Sequence, residues 1–225
     1  MRAAANPDQA RVAQSFFKTG PGQYGEGDRF LGIRVPVLRT FVRKYHALPL
    51  ADVEKLLQSP WHEERLVALL LLVRRYERGG DAERDAVYAL YFRRMACINN
   101  WDCVDCSAPH IVGAHLSDRD RAPLYALARS ASLWERRIAM LATQHFIRRG
   151  DFRDALAIAE LLLDDPHDLI HKAVGWMLRE IGNRDRAAEE KFLRKHASRM
   201  PRTMLRYAIE KFPEELRRKY GVGRR

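Results

Sequence analysis

The 225-residue chain is long enough for one substantial core, and its 47% hydrophobic and 31% charged content excludes a disordered protein. Forty Lys and Arg against 29 Asp and Glu give a formal charge of +11, which makes a polyanion, and nucleic acid first of all, the partner to test. An apolar run such as Leu69–Val73 is far too short to span a membrane, and the opening MRAAANPDQA carries no apolar signal-peptide segment, so a cytoplasmic protein is expected.

Taken in chain order, the first distinctive stretch is the glycine-rich segment 18–30, KTGPGQYGEGDRF. Gly20, Gly22 and Gly25 have the G-x-G-x-x-G spacing of a phosphate-binding loop, but no strand precedes them and no βαβ helix follows. The segment reads as a flexible surface loop between two helices. Beyond it the pattern is helical throughout, without the period-two alternation of strands.

Val35-Pro36, Ser59-Pro60, Asp165-Pro166 and Met200-Pro201 supply caps and first-turn prolines, while Gly79-Gly80, Gly150 and Gly182-Asn183 supply stops. Cys97, Cys103 and Cys106 are odd in number and close together, which argues against a disulfide framework. Zinc would need a fourth ligand at matching spacing, so the cysteines read as small apolar fillers. His167 and His171 have i,i+4 metal-ligand spacing but no third ligand or accompanying glutamate, so no metal and no cofactor is expected.

The helical segments repeat along the chain. WHEERLVALLLLVRRYERGG, WERRIAMLATQHFIRRG and DLIHKAVGWMLREIGN align when Arg65, Arg137 and Lys172 are matched, with Trp101 and Arg206 extending the series. The steps between matched positions are about 35 residues, the period of two-helix repeats. The expectation is therefore an all-α protein: one domain over residues 1–225, an α-solenoid of HEAT-like repeats curved around a basic concave groove.

Each matched position should open the second helix of its pair and face the groove, with the residue four further on as companion. Trp101 with Asp105, Arg137 with Leu141, and Lys172 with Trp176 then fall on one strip, flanked by Arg65 and Arg206. Arg65, Arg137, Lys172 and Arg206 are candidate phosphate ligands, and Trp101 and Trp176 can offer flat faces to a sugar or base. Asp105 is the discordant member, because a carboxylate among phosphates weakens binding. It could cap a helix or pair with a neighbouring arginine; its alternative use is chemistry. Any single Trp at a helix start, such as Trp61 or Trp134, is more readily explained by the core.

A single carboxylate does not suffice for an ordinary glycoside, whose hydrolysis uses an acid and a base or nucleophile. An N-glycoside with an already cationic base needs no acid for its leaving group. One anion near C1′ could stabilise the developing oxocarbenium ion and orient water.

At these residues the sequence resembles the AlkD-like family of DNA alkylation repair glycosylases. The resemblance is carried by FLGIRVP at 30–36, NNWDCVDCSAP at 99–109, LWERRIA at 133–139, HKAVGWMLRE at 171–180 and PRTMLRYAIEKFP near the end. It implies a HEAT-like solenoid that removes cationic N3- and N7-alkylated purines from duplex DNA without base flipping, contacting backbone and deoxyribose and tolerating bulky adducts. It also implies Asp105 as catalytic aspartate, with Trp101, Arg137 and Trp176 as its partners at the site. Asn100 stands where the best-known members carry a second aromatic residue.

The expected function is thus a DNA N-glycosylase leaving an abasic site, acting as a monomer on alkylated double-stranded DNA. A non-catalytic binder of bent or branched DNA and a protein-binding helical scaffold are the alternatives. The first has no use for an aspartate among phosphates, and the second would bind with little salt dependence.

Overall fold

A computed structural model describes residues 1–221. These residues are predominantly helical, with a long non-helical segment over 17–34, and their β-type pairing is an isolated bridge between Arg29 and Trp61. Their packing divides the chain into two compact units, Met1–His115 and a second from Leu116 onward.

The first unit runs through α1 (Pro7–Phe16), α2 (Val35–Lys44), α3 (Leu50–Leu57), α4 (His62–Arg78), α5 (Asp81–Arg93) and the short α6 (Trp101–Asp105), followed by a π-helical turn at Pro109–Gly113. The second contains α7 (Ala122–Ala128), α8 (Leu133–Ala142), α9 (Gln144–Ile147), α10 (Arg153–Leu161), α11 (Asp168–Gly182), α12 (Arg186–His196), α13 (Arg202–Ala208) and α14 (Glu214–Lys219).

Repetition is visible in the packing within each unit. α3 packs on α4, α7 on α8 and α10 on α11, and the second helices then pack on one another, α2–α4–α6 in the first unit and α8–α11–α13 in the second. The matched positions Arg65, Trp101, Arg137, Lys172 and Arg206 fall on α4, α6, α8, α11 and α13, the second helices of this scheme. The protein is an all-α helical repeat, as its period of about 35 residues implies.

The helix ends follow local chemistry. The Asn6 side chain accepts from Asp8 N and Gln9 N ahead of Pro7, Ser132 accepts from Glu135 N, and Asp185 accepts from Ala188 N. Two starts lie later than the sequence suggests. α4 begins at His62 rather than at Ser59-Pro60, because the Ser59 hydroxyl is occupied by Trp61 N and the Glu64 carboxylate. α11 begins at Asp168, because Asp165 accepts from His167 N while also holding Arg136.

His167 then caps α11 by accepting from Leu169 N through Nδ1, and His171 Nε2 meets the Asp165 carbonyl. Both histidines are engaged in shaping this turn.

Gly175 explains how closely α11 and α13 approach. A Cβ there would lie 2.4 Å from the Met204 carbonyl oxygen and 2.6 Å from Tyr207 Cβ. Gly175→Ala is therefore expected to push the two helices apart and cost about 1–3 kcal/mol, seen as a lower midpoint of urea unfolding with unchanged slope. An unchanged midpoint would mean that the helices yield freely at this point.

Candidate active site

α6 is five residues long, and its shortness has identifiable causes. Fully buried Asn100 caps it, accepting from Trp101 N at 2.9 Å, and Pro109, which has no N–H, leads into the π-helical turn. Ser107 fastens the end of the helix by donating to the Cys103 carbonyl at 2.6 Å, with Tyr91 OH 3.0 Å from the same hydroxyl. Cys103 and Val104 are fully buried and anchor the inner face. Trp101, Asp102 and Asp105 remain half-buried on the other side.

The Trp101 indole is set by an aromatic stack. It lies nearly parallel to Phe17, with centroids 5.2 Å apart and planes at 19°, and takes the edge of Phe16 at 5.9 Å. Phe17 stacks in turn on Phe30 at 4.9 Å, and Phe30 on His62 at 4.5 Å. The glycine-rich segment delivers Phe30, so its far end is core rather than flexible surface.

Its neighbour Asp28 does more. The His62 imidazole sits between two carboxylates, with Nδ1 2.8 Å from Asp28 and Nε2 2.8 Å from Asp102. Asn100 Nδ2 donates to Asp28 at 3.2 Å, and Arg65 donates to it at 2.7 Å. One buried network thus ties segment 18–30 and the start of α4 to the start of α6.

Burial alone would push the His62 pKa down, but hydrogen bonds and charge from Asp102 and Asp28 raise it to about 9. Burial would likewise raise the Asp28 pKa, and His62 with Arg65 holds it below the usual carboxylate range. His62, Asp102 and Cys103 come close enough together to suggest metal ligands. Both His62 nitrogens are already engaged by carboxylates, Nδ1 by Asp28 and Nε2 by Asp102, and burial holds the Cys103 thiol well above its ordinary pKa.

Arg65 needs correction as a DNA ligand. It is 5% exposed and committed to Asp28 and the Ser59 carbonyl, because its position on α4 faces the incoming segment 28–30. Arg137, expected at a phosphate, is 4% exposed and donates to the Leu169 carbonyl at 2.5 Å, securing the first turn of α11. Lys172 is accessible and paired with Asp168 at 2.7 Å, while Trp176, one turn on, is half-buried and donates to Glu180 at 3.3 Å. Arg206 is exposed over the Tyr207 ring.

The first unit therefore presents Trp101 and Asp105 on one short helix; the second presents Lys172 and Trp176 on another. The supporting residues Asp28, His62, Asn100 and Asp102 carried no local sequence signal, since His62 meets its two partners 34 and 40 residues away.

The family model described as DNA alkylation repair enzyme matches residues 1–212. The chain belongs to that family. Among solved structures it is similar to a predicted DNA alkylation repair enzyme from Enterococcus faecalis, at 19% identity and a TM-score of 0.73, covering 93% of this chain and 97% of that one. At that identity the similarity shows a shared fold. No curated protein matches. Membership in the alkylation repair family makes DNA the substrate, and no helix among the described residues is long and apolar enough to cross a membrane.

Proposed function

We propose that this alkylation repair protein is a DNA N-glycosylase that excises cationic N3- or N7-alkylated purines from duplex DNA and leaves an abasic site. The observation that carries the reading is Asp105, a half-buried carboxylate one turn from a half-buried tryptophan on a helix whose start is pinned by a buried ion network. In the proposed reaction this carboxylate acts on a cation that forms on the sugar.

The reaction supplies that cation. As the C1′–N bond breaks, its electron pair leaves with the base and neutralises it, and positive charge develops on the sugar. Asp105 stabilises that charge and orients a water molecule, whose oxygen bonds to C1′ while its proton passes to the carboxylate and then to solvent.

Trp101 packs a face against the deoxyribose, and Trp176 serves a sugar in the same way. Lys172 and Arg206 hold phosphates, with Arg137 supporting α11 beneath Lys172. No step requires a metal or organic cofactor, and recognition through sugar and backbone dispenses with extrusion of the base. A single chain suffices for these interactions, so the working form is a monomer in the cytoplasm.

Incubating the protein with a duplex carrying one N7-methylguanine should release free 7-methylguanine above the spontaneous rate, measurable by chromatography. Background release from this duplex and from one carrying N3-methyladenine, with binding to branched DNA retained, would replace the glycosylase with a non-catalytic binder.

A further inference from the structure

A second feature of the first unit is a cavity of about 420 Å³ where α2 meets α4, lined by Arg39 and Arg43 from α2 and by Arg74 and Arg78 from α4. Each pair is spaced i,i+4 and so occupies one helix face. Cys106, the residue after Asp105, also lines the cavity, which places it beside the end of α6.

The electrostatics of this cluster are unbalanced. Its acid is Glu77, which lies 3.3 Å from His110. None of the four guanidinium groups has an ion-pair partner among the described residues, and Arg74 Nε is buried without a hydrogen-bond acceptor. Several other arginines of the protein are matched to acids, among them Arg121 with Asp151 and Asp154, Arg136 with Asp165, and Arg186 with Glu190. Four cations lining one cavity repel one another, and an anion seated among them relieves that repulsion. The planar guanidinium fork suits the paired oxygens of a phosphate.

We propose that this pocket seats a backbone phosphodiester of the DNA on which Asp105 acts. The proposal rests on the glycosylase reading for its choice of DNA, while the anion chemistry stands on the arginines themselves. A hold on phosphate carries no sequence or lesion information, so the pocket contributes grip and register.

The test is equilibrium binding of the full chain to undamaged duplex and to duplex carrying N7-methylguanine, across a salt series. Arg74→Gln/Arg78→Gln and, separately, Arg39→Gln/Arg43→Gln are compared with wild type and with Arg194→Gln at an exposed position of α12. Each double variant is expected to weaken both duplexes alike, by about tenfold. Its log–log salt slope should be shallower by about one for each phosphate that the variant no longer neutralises. Arg194→Gln should match wild type.

Unchanged affinity and slope in both double variants, with wild-type melting curves, would overturn the pocket while leaving the glycosylase reading intact. A wild type that binds neither duplex would overturn that reading, and the DNA assignment with it. In that case inorganic phosphate raising the melting midpoint of wild type but of neither double variant would identify the pocket as a site for free phosphate.

Discussion

Asp105→Asn is expected to slow excision of a cationic alkylated purine by about 10²–10³-fold, roughly 3–4 kcal/mol of transition-state stabilisation. The substitution keeps the side chain's shape and removes its charge, so the short helix and its cap at Asn100 should persist. Duplex binding should stay the same or tighten, since the substitution removes a negative charge from a surface proposed to meet phosphates. Loss of binding in proportion to loss of activity would show that Asp105 supports the structure rather than the reaction. A single-turnover time course with a parallel binding isotherm separates the two.

The second large effect is expected at His62. His62→Ala leaves Asp28 and Asp102 facing a void where an imidazolium stood, and breaking a buried ion pair in this way costs about 3–5 kcal/mol. The contribution also depends on pH in a defined sense. The folded pKa, about 9, lies above the ordinary value of 6.5 in the unfolded chain, so the native state binds the extra proton between them. The stabilisation is complete below about pH 6.5 and is lost as pH rises through about 9.

Urea unfolding of wild type and His62→Ala should therefore differ most at the lower end of this window and converge toward its upper end. A difference that stays constant across it would show that His62 acts by packing against Phe17 and Phe30 alone. Asp28 contributes in the opposite direction, since its depressed pKa adds stability that is lost only as pH falls into the acid range.

The repeat was legible because two-helix units must bury equivalent faces, which forces similar residues to recur at similar spacing. Trp101 and Asp105 stood out for a related reason: polar residues interrupt α6 where its counterparts run apolar. The direction of the cations was not legible. Arg65, Arg137 and Lys172 hold matched positions, yet Arg65 and Arg137 are buried on partners of their own and Lys172 is accessible. The difference lies in what each helix packs against, Asp28 for Arg65 and the Leu169 carbonyl for Arg137.

Segment 18–30 shows the same limit from another side. Its glycines signal turns, and Gly22 and Gly27 do adopt positive φ values of 73° and 80°. Nothing local marks Asp28 as the acid that meets His62, Arg65 and Asn100 from 34 to 72 residues away. Long-range ion networks of this kind have no period, and a single sequence does not display them.

The most direct test of the central claim is excision from a duplex bearing one N7-methylguanine, followed as alkali-labile strand breaks over time, with wild type and Asp105→Asn side by side. Breaks well above the spontaneous rate with wild type, reduced by about two to three orders of magnitude in the variant, are the expected result. Equal rates above background in both proteins would contradict the assignment of the chemistry to Asp105.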